Sequence, residues 1–206
     1  MKVLLLNGSP HPKGCTYTGL MEIGKVLQSH EIETELIQIG SQVVPGCLAC
    51  GKCKGGDPCV IDDGVNALAA RLGEFDGMIV GSPIYYAGPS GQCTAFLDRL
   101  FYSASSKLKG KPGAAIVSCR RGGASAGFDR LNKYFAINSM PIVTSQYWNQ
   151  IHGNSVEEVL RDEEGLQTMR TLGENMAWLI KCIAAGRNSG VPEPREEPKI
   201  RTNFIR

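Results

Sequence analysis

Four of the eight cysteines lie close together in the sequence, at Cys47, Cys50, Cys53 and Cys59. Two residues separate each of the first three, and five residues separate the third from the fourth. Structural zinc sites usually take two separated pairs of ligands, often with histidine, whereas three cysteines at such short intervals are typical of a [4Fe–4S] cluster. The spacing therefore favours a cluster, and a set of free thiols or a redox disulfide is the alternative.

A loop of small and polar residues, Gly8 to Thr18, follows the first apolar run of the chain and leads into a helical pattern. The free N–H groups and the positive dipole end of a helix start attract anions, and the hydroxyl groups of Ser9, Thr16 and Thr18 can add donors. The spacing matches neither the nucleoside-triphosphate loop nor the dinucleotide fingerprint, and Met21 stands where a phosphatase loop starting at Cys15 would need arginine. The loop is therefore expected to hold a phosphate, and simple capping of the helix is the alternative.

Two later loops carry residues suited to a flat ligand. The loop from Gly81 to Ser90 places an isoleucine and two tyrosines among turn-forming residues, which suits a planar heteroaromatic ring. The loop from Ser118 to Ala124 combines glycines with Arg120 and Arg121, which can stabilise negative charge on a reduced ring or attract the phosphates of a nicotinamide dinucleotide. Solvated surface arginines are the alternative for this pair.

Short apolar runs alternate with helical patterns along the chain. We predict strands over 2–6, 34–39, 77–80, 113–117 and 141–146, and helices from about residue 17, over 65–72, through 96–101 and 128–135, and over 163–185. This alternation predicts an α/β fold, a flavodoxin-like doubly wound five-stranded parallel sheet of order 2-1-3-4-5 with helices on both faces. Ligands of such sheets bind beyond the carboxyl ends of the strands, where the loops after strands 1, 3 and 4 meet.

The composition describes one globular domain with a full core, since 42% of the 206 residues are hydrophobic and 20% are charged. We assign residues 1–185 to that domain and residues 186–206, which are rich in proline, to an extended tail. A net charge of +2 without a basic stripe argues against nucleic acid, and the apolar runs are too short for a signal peptide or a membrane span. A cytoplasmic protein with a small-molecule partner is expected.

Taken together, these motifs resemble those of the NAD(P)H-dependent FMN reductases and iron–sulfur flavoproteins of the flavodoxin-like superfamily, over nearly the whole chain. The resemblance rests on the Gly8 to Thr18 loop, on the Gly81 loop with Phe96-Leu97-Asp98-Arg99 after it, and on the cysteine segment. It implies that Ser9, His11, Cys15, Thr16 and Tyr17 line the phosphate of FMN, that Pro83, Ile84, Tyr85 and Tyr86 contact the ring and ribityl chain, and that Ser118, Arg120, Gly122 and Gly123 flank the pyrimidine edge. The family usually has asparagine where this chain has Cys15, and a thiol is a weaker donor.

By this resemblance the chain is expected to be an FMN-dependent oxidoreductase that takes electrons from NAD(P)H, or from a ferredoxin-like protein if the cluster exists. It would pass them to a small acceptor such as a flavin or a quinone, with no side chain required as a catalytic acid or base. The resemblance also implies a homodimer or homotetramer. Two alternatives are a non-enzymatic carrier of electrons between proteins and a flavin-free regulatory domain.

Overall fold

The computed structural model describes residues 1–195 and 197–202, and its centre is a parallel sheet. Five strands pair in the order β2-β1-β3-β5-β6, namely β1 (Lys2–Asn7), β2 (Glu33–Gln38), β3 (Gly77–Tyr85), β5 (Gly113–Cys119) and β6 (Gln150–His152). A two-residue strand, β4 (Gly88–Pro89), pairs antiparallel with the end of β3 as a hairpin. Apart from this hairpin, the order is the predicted one, so the doubly wound flavodoxin-like fold is confirmed.

Helices cover both faces of the sheet. They are α1 (Cys15–Ser29), α2 (Gly64–Arg71), α3 (Gly91–Ala104), α4 (Ala124–Ile137), the single turn α5 (Val156–Val159) and α6 (Glu163–Asn188). One apolar cluster joins α1 and α6 to one face of the sheet, and a second joins α2, α3 and α4 to the other. Strand β1 divides its side chains between them: Leu4 and Leu6 belong to the α2–α4 cluster, whereas Val3 and Leu5 belong to the α1–α6 cluster. This alternation is why the middle of a central parallel strand is apolar at consecutive positions.

The fifth strand was predicted in the wrong place. The run 141–146 makes only an isolated bridge to β5, between Gly113 and Ile142, and the regular pairing with β5 is made later by Gln150–His152. The bridge is closed by two hydrogen bonds, from the Gly113 N–H to the carbonyl oxygen of Pro141 and from the Val143 N–H to the carbonyl oxygen of Gly113, and no regular ladder continues from it over 143–149. The Asn149 side chain donates to the carbonyl oxygen of Ala115, 3.1 Å away, and so brings the chain back beside β5.

The C-terminal helix α6 packs its predicted apolar stripe into the core, since Met169, Leu172 and Met176 are buried. It continues to Asn188, three residues beyond the predicted end, and the residues described after Ser189 have no regular secondary structure. Lys199 and Arg201 of this tail line a groove together with side chains of α3 and α4, so the tail returns to its own domain. Among the described residues, no helix has the length and apolar character that crossing a membrane requires.

At the edge of the sheet, Glu35 of β2 is held by two cations. Lys2 Nζ lies 2.6 Å from Oε2 and Arg71 Nη1 lies 2.7 Å from Oε1. The hydrogen bonds from Arg71, and then from Lys2, lower the pKa of Glu35 from 4.5 to about 2.

We expect the stability that Glu35 provides to be lost as the pH falls. A carboxylate whose pKa is lower in the folded state stabilises the fold above its unfolded pKa, so the contribution is full above about pH 5 and disappears as the pH falls towards 2. Urea denaturation should show Glu35→Gln less stable than the wild type by about 1 kcal/mol at pH 7, a value reduced by solvent screening, and equal to it near pH 2. Glu33→Gln, at an exposed position of the same strand, is the control. An unchanged difference at pH 7 and pH 3 would contradict this assignment.

Candidate functional site

The loop between β1 and α1 takes its shape from hydrogen bonds to the neighbouring strand. Asn7 is buried; its Oδ1 accepts from the backbone N–H of Ser9 at 3.1 Å, and its Nδ2 donates to Gln38 Oε1 at 2.7 Å. Gln38 in turn donates through Nε2 to the carbonyl oxygen of Ser9 at 2.6 Å. The amide pair of Asn7 and Gln38 therefore fixes the backbone of the loop before α1 begins.

The start of α1 is open to an anion. Its N-cap residue is Gly14, and no side chain in the described part of the chain caps it, whereas Ser90 caps α3 and Asp162 caps α6. The first N–H groups of a helix have no partner within the helix, so they are available to a phosphate. The hydroxyl group of Thr18, which was expected to add a donor, donates to the carbonyl oxygen of Gly14 in this structure.

Two buried contacts bring the three predicted loops together. The hydroxyl groups of Thr16, in the first turn of α1, and Ser118, near the end of β5, lie 2.8 Å apart. Ser90 Oγ donates to the carbonyl oxygen of Gly8 at 2.6 Å, while the Ser90 N–H donates to Ser82 Oγ at 2.9 Å. The loops after strands 1, 3 and 4 of the prediction therefore meet at one place, as the fold requires.

The hairpin between β3 and β4 turns through two residues with left-handed backbone, Tyr86 (φ 50°) and Ala87 (φ 61°). Asparagine and glycine are the usual residues of such two-residue turns, so a tyrosine and an alanine here are strained. A Cβ atom on Gly123 would lie 2.8 Å from the Cα atom of Ala87, which shows that the start of α4 packs directly on this turn. The turn leaves the Tyr86 side chain fully exposed.

A cavity of about 250 Å³ lies where the three loops meet, and it includes most of the residues that the sequence pointed to. Predicted residues that line it are Ser9, His11, Cys15, Thr16, Pro83, Ile84, Tyr85, Ser118 and Arg120. Those predicted residues that lie outside its lining are Tyr17, Thr18, Tyr86, Gly122 and Gly123. Their contacts with a bound ligand remain predictions.

Three residues of the cavity were missed from the sequence: Cys119, Gly153 and Asn154. Cys119 lies between Ser118 and Arg120, in a loop already singled out. Its Sγ lies 3.5 Å from His152 Nδ1, and burial raises the pKa of the Cys119 thiol. The carbonyl oxygen of Gly153 accepts a hydrogen bond from the thiol of Cys15 at 3.7 Å. Burial raises the pKa of Cys15 as well, so the thiols of both Cys15 and Cys119 favour the neutral form. Gly153 and Asn154 follow β6, the strand that was predicted in the wrong place.

The four clustered cysteines line a second cavity, of about 260 Å³, between the segment after β2 and helix α3. The segment has little regular structure apart from a 3₁₀ turn at Lys52–Gly55, which is flanked by glycines in the left-handed region, Gly51 (φ 75°) and Gly56 (φ 94°). Each of the eight cysteines, all of which lie in the described residues, is a free thiol. The other side chains around this cavity include Leu48, Val60, Ile61, Arg99 and Tyr102.

The donor set of this cavity, four cysteine thiols, is of the kind that holds a [4Fe–4S] cluster. Within the described ranges, no three His, Cys, Asp or Glu side chains lie close enough together to hold one metal ion. A [4Fe–4S] cluster is larger than an ion, so its four thiolate ligands stand around a volume rather than a point. Four cysteines around one cavity match that requirement.

Asp98 and Arg99, which are adjacent in α3, have different partners. Asp98 contacts Arg130 and Tyr134 of α4, whereas Arg99 turns to the cysteine cavity and pairs with Asp63, with Nη1 2.6 Å from Oδ2. Consecutive residues of a helix point in directions about 100° apart, so adjacent opposite charges seldom face each other.

Comparison with known proteins agrees with this geometry. The model of the NADPH-dependent FMN reductase family matches residues 1–154. An iron–sulfur flavoprotein of Methanocaldococcus jannaschii is 32% identical over 191 residues, covering 89% of this chain and 99% of that protein. An iron–sulfur flavoprotein of Methanosarcina thermophila is 29% identical over 194 residues, covering 91% of this chain and 100% of that protein.

Among solved structures, the chain is similar in fold to RosB with a bound 8-demethyl-8-formylriboflavin-5'-phosphate intermediate. The TM-score is 0.71 at 14% identity, and the match covers 100% of this chain and 92% of RosB. An apo NADH:FMN oxidoreductase gives a TM-score of 0.63 at 16% identity, covering 88% of this chain and 89% of that one. The chain therefore belongs to the NADPH-dependent FMN reductase family, together with the iron–sulfur flavoproteins, and is an FMN-dependent oxidoreductase with a flavodoxin-like fold.

Proposed function

We propose that this protein takes electrons from NAD(P)H, or from a ferredoxin-like protein, and passes them to a small acceptor such as a flavin or a quinone. We further propose that Cys47, Cys50, Cys53 and Cys59 bind a [4Fe–4S] cluster. The observation that carries the proposal is the convergence of these four thiols on one cavity beside helix α3, whose N-cap residue Ser90 is hydrogen-bonded to Gly8 of the loop between β1 and α1.

The residues of the first cavity suit the three parts of FMN. The N–H groups at the start of α1 and the hydroxyl groups of Ser9 and Thr16 would hold the phosphate. Ile84 and Tyr85 provide a partly apolar wall for the ring, and the guanidinium group of Arg120 supplies positive charge beside the cavity. When bound, FMN accepts a hydride as two electrons and releases them singly, which amino-acid side chains alone do not do.

The second cavity has the surroundings of an electron-transfer centre that opens to the surface. Leu48, Val60 and Ile61 line it with apolar groups, and the apolar surroundings of a metal site are one of the means by which a protein sets its potential. Cys47 and Cys50 are exposed, so a second protein can approach this side of the cavity. That exposure favours one further candidate function, a carrier in which flavin and cluster relay electrons between proteins.

Purification without oxygen tests the proposal. We expect protein with bound FMN, about four iron atoms and an equal amount of acid-labile sulfide per chain, and a visible spectrum in which flavin and cluster absorption overlap. Anaerobic addition of NADPH or NADH should bleach the flavin bands.

The outcomes separate the alternatives. Bleaching by a reduced iron–sulfur protein alone would support the carrier over the NAD(P)H-dependent enzyme. Protein with FMN but neither iron nor labile sulfide would refute the cluster and leave the flavin site in place. A colourless protein that gains no thermal stability from added FMN would overturn the proposal and support a regulatory domain.

A further inference from the structure

A buried arginine points at one of the four sulfur atoms of the cysteine cavity. Arg99 of α3 is 1% exposed, and its Nε–H donates to Cys59 Sγ at 3.4 Å. Its Nη2 donates to the carbonyl oxygen of Ile61 at 2.8 Å, and Nη1 makes a longer contact of 3.4 Å with the carbonyl oxygen of Pro45. The guanidinium group thus contacts the cysteine segment before and after its cysteines.

The charge of Arg99 is balanced by one carboxylate. Asp63 accepts from Nη1 at 2.6 Å through Oδ2 and from Nη2 at 2.9 Å through Oδ1. Burying a charge is costly unless it is paired and hydrogen-bonded, and this fork-to-fork pair supplies both conditions. Asp63 also accepts the N–H of Val65 and so caps α2, which places the pair at a fixed point of the fold.

A role in stabilising the fold explains the hydrogen bonds of Arg99 to Asp63, Ile61 and Pro45. It does not explain why the Nε–H group of Arg99 is directed at Cys59. That group meets a sulfur that lines the cavity, whereas Nη1 and Nη2 meet oxygen atoms of Asp63 and Ile61. Hydrogen bonds to ligand sulfurs and local net charge are two of the protein's means of setting the potential of an iron–sulfur cluster.

We propose that Arg99 is a positioning residue that orients Cys59 and makes the bound cluster easier to reduce, with Asp63 as an opposing charge. The inference rests on the proposed cluster. Reduction adds one electron, given up by a reduced flavin or by a ferredoxin-like donor, and breaks no bond. Because the added negative charge resides on iron and sulfur, an N–H donor and a nearby cation stabilise the reduced state more than the oxidised state. Asp63 has the opposite effect.

Two substitutions should therefore shift the midpoint potential in opposite directions. Arg99→Lys keeps the positive charge but loses the planar fork, so the potential should fall. Asp63→Asn keeps an oxygen to cap α2 but removes the negative charge, so the potential should rise. We expect each change to alter the reduction equilibrium about tenfold, which is 59 mV for one electron. Arg130→Lys is the matched control, because Arg130 is partly exposed on α4 and contacts Asp98 and Tyr134 instead.

The measurement is an anaerobic redox titration of the holoprotein, followed by electron paramagnetic resonance of the reduced cluster. A second measurement uses the unaltered protein with ¹⁵N-labelled arginine, in which pulsed resonance should detect coupling between the reduced cluster and a guanidinium nitrogen. This coupling should disappear in Arg99→Lys and persist in Arg130→Lys.

The outcomes distinguish this inference from the proposed function. Wild-type protein without iron refutes the cluster and the inference with it. Two results would overturn the role of Arg99 and leave the cluster intact. One is iron-loaded wild type without ¹⁵N coupling, and the other is a midpoint potential that is the same in the wild type, Arg99→Lys and Asp63→Asn. If Arg99→Lys does not load iron, the ¹⁵N coupling of the wild type and the potential of Asp63→Asn decide the question.

Discussion

Replacing Gly40 with alanine is expected to weaken FMN binding about 100-fold, since overpacking costs up to about 3 kcal/mol and each 1.4 kcal/mol is tenfold in affinity. Gly40 follows β2, and a Cβ atom there would lie 2.3 Å from the carbonyl oxygen of Gly8 and 2.3 Å from the carbonyl carbon of Ser9. Both contacts are with backbone, so no side-chain rotation relieves them. The phosphate loop must move away from the geometry set by Asn7 and Gln38.

The affinity is measured by titrating flavin-free protein with FMN and following the quenching of flavin fluorescence. Gly73→Ala is the matched control, because a Cβ atom on Gly73 meets nothing within 4 Å and its backbone φ is not positive. The control should bind FMN as the wild type does. An affinity of Gly40→Ala within about threefold of wild type would mean that the loop does not hold the phosphate.

Replacing Cys53 with alanine is expected to remove the iron while leaving the flavin in place. A [4Fe–4S] cluster is held by four thiolates, and loss of one lowers the iron content by about tenfold or more after desalting, since even changes outside the ligands cost 10- to 100-fold in metal affinity. The FMN cavity is lined by other residues, so FMN content should be unchanged. Electron transfer to a one-electron acceptor should fall, and bleaching by NADPH should persist.

The control for this variant is Cys182→Ala, which removes an exposed cysteine on α6, outside both cavities. Iron analysis, labile sulfide and FMN content are compared in the three proteins prepared together without oxygen. Equal iron in Cys53→Ala and in the wild type would show that the metal is bound elsewhere. Loss of iron in Cys182→Ala as well would indicate general damage rather than removal of a ligand.

The strands that carry the site were predictable where burial on both faces makes nearly every position apolar. Lys2–Asn7 and Gly113–Cys119 are of this kind, and both were found to within two residues. Gln150–His152 was not predictable, because it contributes only Ile151 to the core. The stronger pattern at 141–146 buries Val143 and leaves Ile142 partly exposed, which a hydrophobic run by itself does not reveal. Gly153 and Asn154 were missed as a consequence.

Contacts between distant parts of the chain were beyond sequence reasoning for a different reason. Arg99 meets a carboxylate 36 positions away, and no local pattern distinguishes Asp63 from the adjacent Asp62 as its partner. Tyr86 was predicted to contact the ring because aromatic side chains suit flat ligands. The direction of the Tyr86 side chain depends on the left-handed turn at Tyr86 and Ala87, and these residue types do not predict such a turn. The loops could thus be identified from residue types, but their side-chain directions could not.

Helix α3 is fixed at one end to the flavin cavity and further along to the cysteine cavity. Its N-cap residue Ser90 donates a hydrogen bond to the carbonyl oxygen of Gly8, and Arg99 donates one to Cys59 of the cysteine segment. The rise of an α-helix places these two anchors about 14 Å apart along its axis. A helix packed into a core changes its length very little, so the distance between Ser90 and Arg99 is set by the helix and not by the loops. If electrons pass between the two cavities of one chain, α3 fixes the separation of the two points at which the cavities are attached to it.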